Sequence, residues 1–80
     1  MNKNRAVWEE LRSLLIGVVK EIDATLDTKN RELLTDFIEN REFEVALDWV
    51  SSIIEERQVA LSSEGQHSIA HARRIMQKAD

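Results

Sequence analysis

Large apolar side chains recur along this chain at steps of three and four residues. Between Arg5 and Leu26 the series Trp8, Leu11, Leu15, Val18 and Ile22 follows that rhythm, and Val7, Leu14, Val19 and Leu26 widen it. Such spacing puts the series on one face of a 3.6-residue helix, so an amphipathic helix is predicted over 4–26. Gly17 inside it costs about 1 kcal/mol relative to alanine, which is tolerable if a neighbouring helix approaches closely there. Asp27-Thr28 reads as a break and restart, because Asp27 with Asn30, or Thr28 with Arg31, can cap a new helix. Leu33, Leu34, Phe37 and Ile38 supply the apolar face of that second helix, predicted over 29–40. A tight turn is expected at 39–42, with Asn40 tolerating the left-handed conformation that closes helices.

Phe43, Leu47, Val50 and Ile54 define a third helix over 42–57, with Ala46 and Ile53 on the same flank and Val45 and Trp49 on another. A helix apolar on two sides is usually sandwiched between neighbours, so the third helix is expected to be the central element. After a linker from Gln58 to Ser63, a cap at Ser62 or Ser63 opens a fourth helix over 63–79. Ser63-x-x-Gln66 has the capping-box pattern, weakened by Gly65, and Ile69, Ala72, Ile75, Met76 and Ala79 form the last stripe. The prediction is an all-α fold: one compact domain over 1–80, a bundle of about four antiparallel helices.

Composition narrows this picture. The 80 residues include no proline, two glycines and 42% hydrophobic residues, which suits helices and lacks the turn chemistry of a barrel or sandwich. A chain this short buries only about 60–65% of its unfolded surface, leaving one thin core and little room for a deep cleft. Cysteine is absent, so there are no disulfides or thiolate metal sites, as fits a reducing cytosol. Lys3 and Arg5 ahead of Leu14-Leu15-Ile16-Gly17-Val18-Val19 imitate a signal peptide, but Glu9, Glu10 and Arg12 interrupt it. The apolar run is also far short of the ~20 residues of a membrane span. A soluble, unprocessed cytoplasmic protein with no membrane association is the expectation.

Candidate chemistry is sparse. His67 and His71 share a helix face at i, i+4, a spacing that can grip a metal ion. No glutamate follows His67 in the zinc-protease pattern, and Arg73 and Arg74 would repel a cation, so a solvated face is expected and no metal or other cofactor. Glu42/Glu44 and Glu55/Glu56 are acid pairs without a cleft to perturb them. Ser51-Ser52 and Ser62-Ser63 lack a nearby base, so the chain is not expected to be an enzyme.

Charge is more informative. The net charge is −4, yet Glu32 to Glu56 alone carries Glu32, Asp36, Glu39, Glu42, Glu44, Asp48, Glu55 and Glu56 against Arg41, a balance of 1 − 8 = −7. An acidic chain is a poor nucleic-acid binder, since phosphate neutralisation dominates that affinity. Glu32–Asp36, Asp36–Glu39 and Glu44–Asp48 are like-charge helical neighbours, each destabilising by a few tenths of a kcal/mol, about. Such a face either solubilises or matches a cationic partner, and charge alone does not decide between them. Trp49 is likewise open: partial burial in the core is the first expectation, an interface anchor the second.

The run Phe37-Ile38-Glu39-Asn40-Arg41-Glu42-Phe43-Glu44-Val45-Ala46-Leu47-Asp48 resembles a pattern of small helical bacterial immunity proteins, notably the MafI type and others of contact-dependent inhibition systems. In that pattern an apolar pair ends a short helix, an acidic-aromatic turn follows, and the next helix opens with apolar-Ala-Leu-acid. Glu42-Phe43 and Val45-Ala46-Leu47-Asp48 correspond to the last two parts, while Arg41 and Glu44 stand where glycines are common. The resemblance implies a cytoplasmic antitoxin that binds and neutralises the toxic C-terminal domain, typically a nuclease, of a polymorphic or contact-dependent growth inhibition toxin.

A nuclease presents a cationic cleft, which carboxylates can occupy in place of phosphates. On this reading Asp36, Glu39, Glu42, Glu44, Asp48, Glu55 and Glu56 form the partner-binding set, with Trp49 as anchor. Helical geometry groups Glu44, Asp48 and Glu55 on one helix and Asp36 with Glu39 on the other, so one group is expected to dominate. The partner is a protein toxin domain with a basic surface, and the chain itself a monomer or weak homodimer. The rival is a non-enzymatic helical adaptor or homo-oligomerisation module using the broad face of the first helix at Val7, Leu14 and Val19. A weaker rival reads Arg73, Arg74 and Lys78 as a nucleic-acid contact.

Overall fold

A computed structural model describes residues 3–79, with side-chain surroundings for 5–78; Met1, Asn2 and Asp80 lie outside it, as does the side chain of Ala79. The described chain is all-α: α1 Lys3–Glu21, a 3₁₀ turn Asp23–Thr25, α2 Thr28–Glu39, α3 Phe43–Glu56 and α4 Ser63–Ala79. Its radius of gyration is 12.1 Å, about the ~12 Å of a fully collapsed chain of this length. Arg12 meets Glu39 and Asp23 meets Arg31, while Glu21 meets Ser62 and Glu10 meets His71, so α2 and α4 both run opposite to α1.

The predicted stripes are the core. Leu11, Leu15, Ile38, Phe43, Ala46, Leu47 and Ala72 form one buried cluster, and Val18, Ile22, Leu26, Leu34, Val50 and Ile53 the other. Val19 and Ile69, half-buried, pack against both clusters and join them. The central element is α1, which packs extensively against α2, α3 and α4, and not α3 as its two apolar sides suggest. The second side of α3 is solvent-facing, because Val45 and Trp49 stay exposed.

Local chemistry explains the helix ends. The periodicity of Ile22 and Leu26 continues α1 to residue 26, but the α-helix stops at Glu21 and tightens into i→i+3 bonds, Thr25 N–H to Ile22 O and Leu26 N–H to Asp23 O. Arg31 donates to the carbonyls of Asp23 and Leu26 and to the Asp23 carboxylate, and Arg57 donates to the Thr25 carbonyl. Cationic groups from α2 and from the end of α3 thus satisfy carbonyls of the 3₁₀ turn and of Leu26, just after it. Asp27 caps α2 through the Asn30 N–H at 2.8 Å.

Helices α2 and α3 both close with Schellman geometry. Glu42 N–H donates to Phe37 O and Arg41 N–H to Ile38 O; Val59 N–H donates to Ile54 O and Gln58 N–H to Glu55 O. The left-handed residues are Arg41 (φ 61°) and Gln58 (φ 51°), while Asn40 keeps φ −91°. Asn40 is therefore not the left-handed residue: the turn needs that conformation one position later.

At α4 the cap is Ser62, whose Oγ accepts from Gly65 N–H, and Gln66 reaches back to the Leu61 carbonyl. Glu21 of α1 joins this cap, accepting from the N–H and the hydroxyl of Ser62. The glycine held in a tight place is Gly65, where a Cβ would lie 2.5 Å from Glu21 Oε1 and 2.8 Å from Leu61 Cγ. Gly17 has nothing within 4 Å of its Cβ position, so α4, across a shallow cavity from it, does not pack against that position.

Candidate protein-binding face

Helix α3 turns Phe43, Ala46, Leu47, Val50 and Ile53 inward, which leaves two rows outside. One row, on the α4 side, holds Glu44, Asp48, Ser51 and Glu55; the other, on the α2 side, holds Val45, Trp49, Ser52 and Glu56. The sides are fixed by contacts. Arg73 of α4 donates to Ser51 Oγ at 2.9 Å and lies 4.0 Å from Asp48, whereas Trp49 meets Phe37 and Asn30 of α2.

Trp49 is 40% exposed and Val45 44%, and they are the exposed large hydrophobics among the described residues. Core burial of Trp49 is thus corrected: the core positions nearby are filled by Val50 and Ile53, and the indole lies across the outside of the α2–α3 hairpin. Its ring stands edge-on to half-buried Phe37, centroids 6.2 Å apart at 65°, and its Nε1 donates to Asn30 Oδ1 at 3.2 Å. These contacts hold the indole in one orientation while leaving much of it in water, so it can be covered without first being ordered.

The predicted carboxylates are all exposed, but they do not act alike. Glu39 turns toward α1, where Arg12 Nη2 donates to it at 2.9 Å; the hydrogen bond and the charge of Glu39 hold the Arg12 proton more tightly than in free arginine. Asp48 is partly offset by Arg73, and with Glu44, Arg41 and Arg73 it borders a groove of about 380 Å³ over Phe43, Leu47 and Met76. Asp36, Glu42, Glu44, Glu55 and Glu56 show no ion-pair partner among the described residues. Of the two predicted groups, Glu44, Asp48 and Glu55 remain one strip, while in the other Glu39 is held by Arg12 and Asp36 is not.

Local helix electrostatics account for only part of this acidity. Glu44 lies in the first turn of α3, where the helix dipole favours a negative charge, but Glu55 and Glu56 lie in the last turn, where it disfavours one. The compensating cations come from α1 and α4, a relation that i, i+4 inspection within α2 and α3 could not reveal.

Elsewhere, His71 Nε2 lies 3.0 Å from Glu10 Oε2, tying α4 to α1, and no group of three or more metal-ligating side chains forms among the described residues. No helix of the described chain is long and apolar enough to cross a membrane. Val7, Leu14 and Val19, the broad face of the first helix, are half-buried against the chain's own core, and Arg73 is engaged by α3. Arg41 lies over the Trp8 ring, 4.1 Å from its centroid, joining the α2–α3 turn to α1. No family model, curated protein or solved structure matches the chain.

Proposed function

We propose that this chain is an immunity protein: a cytoplasmic antitoxin that binds the toxic C-terminal domain, a nuclease, of a polymorphic or contact-dependent growth inhibition toxin and neutralises it without catalysis. The resemblance of Phe37 to Asp48 motivates the class. The observation that carries the reading is the outer face of α3, where an exposed Trp49 and Val45 sit among carboxylates that lack partners within the described chain. Most single exposed apolar residues need no explanation, but a tryptophan oriented by Phe37 and Asn30 beside unpaired acids has the make-up of an interface hot spot. The homo-oligomer alternative has less support, since Val7, Leu14 and Val19 are already half-buried against the chain's own core.

The test is direct. The purified chain is mixed with the toxin domain encoded beside it, and complex formation and nucleic-acid protection are measured. A tight complex that stops cleavage is expected, weakened by reversing Glu44 and Asp48 to lysine and losing its salt dependence with them. Absence of a complex, or a complex that leaves cleavage intact, rejects the reading.

A further inference from the structure

We infer that the α2–α3 face accepts a cationic amphipathic helix presented by its protein partner, laid along the hairpin with its apolar side on Trp49, Val45 and Phe37. This deepens, and rests on, the reading of that face as partner-binding.

The shape of the face selects the occupant. Val45 and Trp49 are spaced i, i+4 and form a ridge along α3, and Phe37 from α2 meets the ridge on one side. The result is a shallow apolar strip between two helices, the form that receives the i, i+4 side chains of a third helix. The described chain is helical with no strand, so it offers no sheet edge to which an extended peptide could add.

Charge selects the chemistry. Glu42 lies three residues before Val45 and Glu56 seven beyond Trp49, both without an ion-pair partner among the described residues, so a free carboxylate stands at each end of the strip. Lysine or arginine flanking the apolar stripe of an incoming helix would meet them. An acidic helix would be repelled, and a neutral apolar one would leave those carboxylates partly desolvated without partners. Phosphate mimicry alone would place carboxylates at the centre of the face; here an indole holds the centre and the carboxylates the border. The partner surface so described is an apolar ridge flanked by cations.

The experiment uses the whole chain labelled with 5-fluorotryptophan, in which the Trp8 and Trp49 resonances are assigned through Trp49→Phe. Three synthetic helical peptides are titrated: leucine and lysine patterned to one apolar face, the same composition shuffled to abolish that face, and leucine with glutamate in the first pattern. The patterned leucine–lysine peptide is expected to bind saturably, shifting the Trp49 resonance and not that of Trp8, and to lose about tenfold or more in affinity with Trp49→Ala and with Glu56→Lys. Glu10→Lys, an equal change of charge on α1 facing α4, should leave binding unchanged.

Equal binding of the shuffled peptide, an unmoved Trp49 resonance, or indifference to Trp49→Ala overturns the proposal. The two readings fail separately. If the toxin domain is bound and inhibited with undiminished affinity by Trp49→Ala, the docking proposal falls and the inhibitor reading stands. If the peptide behaves as stated and the toxin domain is not bound, the reverse holds.

Discussion

Arg41 and Gln58 carry the same backbone burden with different compensation. Both are non-glycine residues in the left-handed region at the C′ position of a Schellman turn, where an L side chain costs roughly 1 kcal/mol. Gln58→Gly should therefore raise stability by about 0.5–1 kcal/mol. Arg41→Gly should yield clearly less, because it forfeits a cation–π contact with Trp8 worth roughly 0.5–1 kcal/mol. Urea denaturation followed by circular dichroism compares the two, and equal gains would mean that the Arg41–Trp8 contact contributes nothing. The glycines differ in the opposite sense. Gly17→Ala, on an open helix surface, should stabilise by about 0.5–1 kcal/mol, whereas Gly65→Ala should destabilise by about 1–3 kcal/mol, since the new methyl would push on Leu61 and on the Glu21 carboxylate. Thermal melts of the pair settle this, and a stabilising Gly65→Ala would refute the crowding.

At the scale of elements, each helix end is completed by a neighbour. Glu21, near the end of α1, accepts two hydrogen bonds from Ser62, which in turn caps α4, so one carboxylate links the finish of one helix to the start of another. Ser62→Ala should cost about 1 kcal/mol. In a double-mutant cycle with Glu21→Ala the two losses should fall short of additivity by at least ~0.5 kcal/mol. Strict additivity would reduce the arrangement to an ordinary local cap. The sequence pointed to Ser62 or Ser63 through the restart pattern, and to Asp27 through its spacing from Asn30. The contribution of Glu21 was not legible, because it comes from a residue forty-one positions away. Nor was the 3₁₀ ending of α1 legible, because Ile22 and Leu26 occupy buried positions whether the backbone closes i→i+4 or i→i+3 bonds.

For the whole molecule, burial and exposure separate stability from binding. Leu15 is 1% exposed, and its truncation to alanine should cost about 2–5 kcal/mol, a large share of the roughly 4–12 kcal/mol available to a domain of this size. Trp49, at 40% exposed, has part of its apolar surface, one edge contact and one hydrogen bond to lose, so Trp49→Ala should cost about 1–2 kcal/mol, less than the core truncation. The expected outcome is a Trp49 variant that stays folded and melts nearer the parent while failing to bind, and a Leu15 variant that melts far below both. A Trp49 variant as damaged as Leu15→Ala would return the indole to the core.

The residue pattern by itself determined the all-α bundle, its four helices to within a few residues apart from the end of α1, and the identity of its buried stripes, because burial at steps of three and four fits a helix and not a strand. Tertiary structure decided what that pattern leaves equivalent. Trp49 and Val45 follow helical spacing as faithfully as Leu47 and Val50, and only the packing of α1 against all three other helices shows which side of α3 is covered. The carboxylates from Asp36 to Glu56 are alike in sequence, and only the reach of Arg12 and Arg73 from other helices separates those held in ion pairs from those left facing solvent. Periodicity reports which residues share a face of one helix; which face meets another helix, and which charge meets its counterpart, depends on residues distant in the chain.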